Sequence, residues 1–376
     1  MLKNILVIAN TYPTKVSPNF GAFVYNLMQE LGKIHDVTII SAFKIHQIFN
    51  KKHNTYGEEI CQVKRPLWFS LGNRNFLGIK SGTVTSYLYK RAVVGAVKRL
   101  ENKHDVVYAH FLVNAIPLLD YVAKNEIPLI IASGESTYDS WDSYSLESRT
   151  QLIKLTSHII CVSRENKEQL IALGFSKSKI SIVPNAVNYE LFRPLNKENC
   201  RKNIGVANDK FTVGFIGHFI ERKGPNRVIE AIKSLNDPDI QLICVGGKGE
   251  LQPNDFTTKL DPMPNYKLPE IYNAFDVFVL PTLHEGHCNA IEEAKACGVP
   301  IISSKGTSVE EQVTKEFGFL VDPLSIIEIS TAISTLKENS ILLQQMANSL
   351  INKRGENSLG ERANKISKII ETHSSN

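Results

Sequence analysis

The stretch HEGHCNAIEEAKACGVP, residues 284–300, sets two carboxylates, Glu285 and Glu293, around the start of a helix. DVFVLP reads as a strand ending at Pro281, TLHEGH as a loop, and CNAIEEAKAC as a helix closed by Gly298 with Pro300 just beyond. Ala290, Ala294 and Cys297, at i, i+4 and i+7, are its expected inward stripe. The amides around Gly286, His287, Cys288 and Asn289 lack intrahelical acceptors, and with the helix dipole they predict an anion site at a strand's carboxyl end. Gly286 lets a bulky anion approach the backbone. Glu293 lies roughly 7–8 Å into the helix along its axis. A diphosphate at the helix mouth would leave a polyhydroxyl ring on either side, one for each carboxylate. Taken alone, the spacing also fits a solvated surface helix.

A second loop, GFIGHFIERKG (214–224), ends another strand and supplies Arg222 and Lys223 just before a helix beginning near Pro225. Cations there can neutralise a diphosphate leaving group, the main electrostatic demand of glycosyl transfer. The alternative is a plain basic loop. In DVVYAHFLVNA, His110 stands at a strand end, a position where a histidine serves structure as readily as chemistry.

To hold these loops the chain must supply strands, and short β-branched runs alternate with amphipathic stretches throughout. The strand candidates are 3–9, 36–41, 105–110, 128–133, 158–163 and 179–185, then 211–217, 241–246, 276–281, 300–304 and 318–321. Most are continuous apolar runs, as parallel strands covered on both faces require. The expected fold is α/β, with two doubly wound Rossmann-like domains facing across a cleft. The expected division is residues 1–190, a polar linker at 191–209, a second domain at 210–355 and a terminal helix at 356–376 that packs back on the first. A chain of 376 residues is long for one core. The six cysteines are scattered without metal-ligand spacing, which argues against a disulfide framework or zinc site and for a reducing, cytoplasmic setting. No apolar run reaches the roughly 18 residues a membrane helix needs.

At this point a resemblance is plain. PTLHEGHCNAIEEAKACGVPII resembles the Glu-x7-Glu donor segment of the retaining family 4 glycosyltransferases of the GT-B fold, group 1 type. GFIGHFIERKG resembles their glycine–basic loop, VPNAVNYELFRP (183–194) their interdomain connector, and YNAFDVFVLPT (272–282) the strand before the glutamate motif. The resemblance implies transfer from a nucleotide-diphosphate-sugar to a saccharide or lipid-linked saccharide, with no cofactor and no metal. It implies that Lys223 pairs with the diphosphate, Glu285 touches the donor sugar, and Glu293 binds the ribose. Gly286, His287, Cys288 and Asn289 would hold phosphate, and His110 would lie near the sugar. Gly21 matches the second of two family glycines and Gly217 the loop glycine, both on the donor side. His218 stands where the family has arginine, with Arg222 as a substitute charge. Ser133 and Ser136 replace a histidine and an aspartate, leaving Glu135 and Asp139 as local substitutes.

Charge is uneven. Residues 1–195 hold 23 Lys and Arg against 15 Asp and Glu, and residues 196–376 hold 20 against 23. Within 61–103 the basic residues are Lys64, Arg65, Arg74, Lys80, Lys90, Arg91, Lys98, Arg99 and Lys103, against Glu101 alone. Trp68, Phe69, Phe76, Tyr87 and Tyr89 interleave with them. This fits peripheral contact with an anionic inner membrane leaflet, or a plain solvated face, and no nucleic-acid motif accompanies it. Contact with a membrane would suit a lipid-linked acceptor in capsule, exopolysaccharide or similar polysaccharide biosynthesis. A dinucleotide-dependent oxidoreductase would need GxGxxG after the first strand, where residues 10–21 offer one glycine. A nucleotide-sugar epimerase and a non-catalytic nucleotide or glycan binder stay open.

Overall fold

Each apolar run named above forms a strand in the computed structural model of the chain, and each strand lies in one of two parallel sheets. The structure describes every residue except 16, 19, 46–58, 71–74, 77, 78, 101, 102, 375 and 376. For 75, 76 and 79–83 it describes the backbone alone. Arg74 and Glu101 therefore lie outside the described residues, as do the side chains of Phe76 and Lys80.

Contacts divide the chain into two units. Unit 1 comprises Met1–Val162, Asn166–Val183 and Leu359–Asn376. Its sheet contains β1 (Asn4–Ile8), β2 (Asp36–Ile40), β3 (Gln62–Lys64), β4 (Val106–His110), β5 (Leu129–Ser133), β6 (Thr156–Cys161) and β7 (Ile180–Ile182), in the order β7-β6-β5-β4-β1-β2-β3. Unit 2 comprises Ser163–Glu165 and Pro184–Ser358. Its sheet contains β8 (Phe211–Ile216), β9 (Ile240–Val245), β10 (Thr257–Leu260), β11 (Val277–Leu280), β12 (Ile301–Ser304) and β13 (Gly318–Val321), in the order β10-β9-β8-β11-β12-β13. Counted within each unit, the second sheet has the Rossmann order 3-2-1-4-5-6 and the first extends it by one strand to 3-2-1-4-5-6-7, so each sheet reverses winding beside its first strand. The edge strands β3 and β10 escape pattern reading because they are short and alternate half-exposed residues instead of forming an apolar run.

Strand periodicity builds the core of unit 1. Leu6, Ile8, Val107, Ala109, Leu129 and Ile131 face one side, and Ile5, Val7, Val106, Tyr108, Ile130 and Ala132 the other. Ala363, Ile366 and Ile370 of the terminal helix Leu359–His373 join the second side, packed beside helix Ala22–Gly32. A buried hydrogen bond pins this helix, with His35 Nε2 2.8 Å from Ser367 Oγ.

The linker expected at 191–209 is corrected: the chain passes into unit 2 at Pro184, and this segment belongs to that unit's framework. Helix Lys197–Ile204 buries Cys200 and Arg201. Arg201 donates to the carbonyls of Ala274 and Asn208, each at 2.9 Å, and to Asp276 Oδ2 at 2.6 Å. Lys197 reaches the other Asp276 oxygen at 2.7 Å. High polarity disguised a buried polar network as a linker. Arg201→Ala should cost about 2–3 kcal/mol in urea unfolding, because it strands the carbonyls and half-strips Asp276. A loss below about 0.5 kcal/mol, the size of an ordinary surface substitution, would restore the linker.

Candidate active site

In unit 2 the winding reverses between β8 and β11, so the loops leaving their carboxyl ends part and leave a crevice. Those loops carry Gly217–Lys223 and Pro281–Cys288. Lys223 Nζ lies 2.5 Å and Arg222 Nη1 2.7 Å from the same Glu285 oxygen, Oε1. Thr282 Oγ1 donates to that oxygen at 3.1 Å. The two cations share one carboxylate, so the cluster keeps one excess positive charge. Burial pulls the Lys223 pKa down, but Cys288 and Glu285 outweigh it, and the net shift is upward. Its ammonium stays charged.

Hydrogen bonds fix the two loops to each other. The Leu283 amide donates to Arg222 O at 2.8 Å, and Arg222 donates to His284 O. Arg227, on helix Pro225–Leu235, donates to Pro281 O at 2.9 Å and also holds Glu221. Ser308 Oγ donates to Glu285 O. Gly246 lies where the loops after β8 and β9 meet, and a Cβ there would stand 1.8 Å from Gly217 O. His218 Nδ1 is 2.9 Å from Gly247 O. A carbonyl only accepts, so Nδ1 carries the proton, and in the neutral ring Nε2 is a lone pair. A neutral His218 therefore presents an acceptor where arginine would present a donor.

Helix Asn289–Ala296 begins at Cys288, which supplies no side-chain cap. Gly286 is buried beside this start. Two expectations are corrected here. The Cys288 amide is not open to an anion, because it donates to Gln312 Oε1 at 2.8 Å. The helix's inward face is led by Ile291 and Ala294, with Cys297 buried as expected and Ala290 only partly buried. Glu292 also turns inward. It accepts from Gln312 Nε2 at 2.8 Å, pairs with Lys295, and lies 3.8 Å from His287 Nε2. Asn185 Nδ2 donates to His287 O at 3.2 Å.

Glu293, by contrast, accepts from Asn265 Nδ2 and from the Tyr272 hydroxyl, each at 2.8 Å. Burial raises its pKa to about 7 despite these bonds. Sequence reading missed Arg227, Gln312 and Glu292. The only available signal was Lys295, three residues after Glu292.

His110 and Gly21 belong to unit 1. His110 ends β4, buried between the rings of Phe111 and Phe23, with centroids 4.6 and 5.4 Å away. Burial first, and the Arg362 cation second, lower its pKa to about 3, so the ring is neutral. The next residue, Phe111, sits at φ 72°, a strained region for a side chain of this size. Its amide donates to Ala132 O, and the Leu112 amide to Glu135 Oε1, both at 2.8 Å. Ser133 Oγ donates to Glu135 Oε2 at 2.6 Å and takes a bond from the Tyr138 hydroxyl. Ser133 and Glu135 thus brace the turn after His110. Gly21 has a conformational reason to be glycine: it starts helix Ala22–Gly32 at φ 81°, and a Cβ would lie 2.3 Å from Thr11 O.

Two family models cover most of the chain in tandem: Glycosyltransferase Family 4 over residues 21–191, and Glycosyl transferases group 1 over residues 196–353. A Bacillus subtilis protein provisionally assigned as the teichuronic acid biosynthesis glycosyltransferase TuaC is 24% identical over 92% of each chain. The UDP-Gal:alpha-D-GlcNAc-diphosphoundecaprenol alpha-1,3-galactosyltransferase of Escherichia coli is 33% identical over 50% of this chain and 53% of its own. The capsular polysaccharide biosynthesis glycosyltransferase CapM of Staphylococcus aureus is 28% identical over 44% of this chain and 48% of its own. Among solved structures, the sucrose-phosphate synthase of Thermosynechococcus elongatus superposes with a TM-score of 0.78, at 15% identity, covering 98% of both chains. Anabaena HepE in complex with UDP-glucose gives 0.74 at 17%, covering 98% of this chain and all of its own. At these identities the likeness establishes the fold, which is GT-B.

Glu293 generates a pH prediction. The native state holds its proton up to about pH 7, whereas the unfolded chain loses it near the ordinary value of 4.5. Stability therefore falls as pH rises from about 4.5 to about 7. Glu293→Gln keeps the shape and should remove that slope in urea unfolding across this window. An unchanged slope would show that Glu293 is ionised in the fold.

Proposed function

Because the chain belongs to the family 4, group 1 glycosyltransferases, we propose that it moves a sugar from a nucleotide-diphosphate-sugar to a lipid-linked saccharide in cell-surface polysaccharide assembly. The observation that carries this reading is the pair of cations on one Glu285 oxygen at the switch point of unit 2. A diphosphate entering there meets Lys223 and Arg222 already gathered, and helix Asn289–Ala296 directs the positive end of its dipole toward it. As the bond to the sugar lengthens, charge grows on the leaving phosphate, and Lys223 stabilises it without having to move far. Glu285 orients the sugar hydroxyls through its second oxygen, and Glu293 takes the ribose. His110, neutral and buried, hydrogen-bonds a substrate hydroxyl rather than donating a full proton.

We propose that transfer retains the anomeric configuration, with the leaving phosphate accepting the acceptor's proton on the same face. No metal is required in this reading, because the cations supply the charge. The acceptor class is supported by the Escherichia coli relative, which acts on alpha-D-GlcNAc-diphosphoundecaprenol, and the setting by the Staphylococcus aureus relative's part in capsular polysaccharide biosynthesis. Among the described residues no helix is long and apolar enough to cross a membrane. Peripheral contact at a cytoplasmic leaflet is supported by Lys64, Leu67, Phe69, Tyr87, Lys90, Arg91, Lys98 and Arg99, all exposed on unit 1.

Thermal-shift screening against UDP-, GDP- and ADP-sugars identifies the donor. With that donor, Lys223→Ala should lower kcat by about 10²–10³-fold, the size of losing one charge-stabilising group, with the melting temperature kept. His218→Arg should tighten the donor, since it replaces an acceptor with a fixed cation. Full activity in Lys223→Ala, or loss in EDTA reversed by manganese, would refute the metal-free cationic site. Reversing Lys90, Arg91, Lys98 and Arg99 should release the protein from anionic vesicles in co-sedimentation; unchanged binding would remove the membrane contact.

A further inference from the structure

After β12 the chain of unit 2 turns and forms a short 3-10 segment, Ser308–Gln312. The Gly306 amide donates to Glu310 Oε2 at 2.6 Å and closes the turn. Val309 and Val313 sink into the core and fix the segment from below. At its two ends stand polar residues, Ser308 and Gln312, which are 2% and 3% exposed. Buried polar groups need partners, and both find them on the loop that leaves β11.

Ser308 Oγ donates to Glu285 O. Gln312 takes both backbone groups of Cys288: its Oε1 accepts from the Cys288 amide at 2.8 Å, and its Nε2 donates to Cys288 O at 3.0 Å. The same Nε2 also donates to Glu292 Oε1 at 2.8 Å, which uses both of its hydrogens. Lys295 holds Glu292 in turn. The loop is therefore gripped at Glu285 and again at Cys288.

This grip has a direction. A trans peptide group puts its N–H opposite its C=O. With Glu285 O drawn to Ser308, the amide of the same peptide group, that of Gly286, points the other way. It donates to no group among the described residues. The peptide group before Cys288 is pinned at both ends, His287 O by Asn185 Nδ2 at 3.2 Å and the Cys288 amide by Gln312.

We infer that Ser308 and Gln312 are positioning residues of the donor site, and that they aim the Gly286 amide at a phosphate oxygen of the donor's diphosphate. Neither touches the substrate. The inference rests on the reading of unit 2 as the nucleotide-sugar unit, and it narrows that reading. The Cys288 amide is spent on Gln312, so the contact falls to Gly286, the residue after the carboxylate that gathers Lys223 and Arg222.

Gln312→Glu tests this within one variant. A neutral carboxyl at 312 accepts from the Cys288 amide and still has a hydrogen to give, whereas a carboxylate faces Glu292 and Cys288 O with none. The other titratable groups around Glu292 are Lys295, His287, Tyr189 and the Cys288 thiol. They are common to both proteins, so affinity is read as the ratio of variant to unsubstituted protein at each pH, which also cancels Glu293. Calorimetry with UDP-, GDP- and ADP-glucose runs from about pH 5 to about pH 8, the range over which a carboxyl raised by a neighbouring carboxylate ionises. Binding by Gln312→Glu should match the unsubstituted protein at the acid end and become about tenfold weaker at the alkaline end, the size of one buried group left without its partner. Gln312→Ala should bind about tenfold more weakly throughout, with faster amide exchange in peptides covering 285–288. An affinity ratio for Gln312→Glu that does not change with pH overturns the proposal, as does a lowered melting temperature with nucleotide-sugar affinity kept. Should Gln312→Ala fail to fold, the pH dependence of Gln312→Glu still decides. If the unsubstituted protein binds none of these nucleotide-sugars, the donor reading falls and takes the aim of Gly286 with it. Binding that both variants keep in full removes the positioning role alone.

Discussion

Two cations meet on one carboxylate oxygen, and much of unit 2 serves that meeting. Lys223 and Arg222 would repel each other in a partly buried crevice without Glu285 between them. Glu285 can stand there only because β8 and β11 are neighbours while their following connections diverge. The loops are then held at backbone level, by Arg227 across to Pro281, by Leu283 to Arg222, and by Ser308 to Glu285. The cluster keeps its charges paired yet leaves a net positive charge. An anion that bound there, as proposed, would exchange for part of an existing contact instead of recruiting flexible side chains, which limits the entropy lost on binding.

Unit 1 uses desolvation in place of charge. His110 is kept neutral by burial and by Arg362, a residue of the terminal helix. The last segment of the chain thus tunes a group at the end of β4 while its apolar face completes the core beside β1. The turn after His110 is strained at Phe111 and held by the Ala132 carbonyl on one side and Glu135 on the other. Strain that persists needs such support, and it clusters where geometry matters for function.

Much of this was legible in the residue pattern. Most of the eleven strands appear because parallel strands covered on both faces leave continuous apolar runs. The loops that carry Lys223 and Glu285 appear because glycine, cations and a helix start after a strand form a local signal. The segment 191–209 misled because its polar residues are counted alike whether solvated or, as with Arg201 and Asp276, paired in the interior. Glu292 and Glu293 are adjacent and identical in type, so nothing local says that one braces Gln312 while the other meets Asn265 and Tyr272.

By itself, then, the sequence determined the two α/β units, the order of their strands along the chain, and which loops carry charge, since each depends on periodicity or on neighbours a few residues apart. The tertiary structure alone decided which oxygen the cations share, which glutamate turns inward, and which loop Ser308 and Gln312 hold. It also decided which partners the final helix, expected on the first unit, meets there, among them His35. Those outcomes join residues tens to hundreds of positions apart, and burial, the quantity that sets their charge and partners, exists only once the chain has folded.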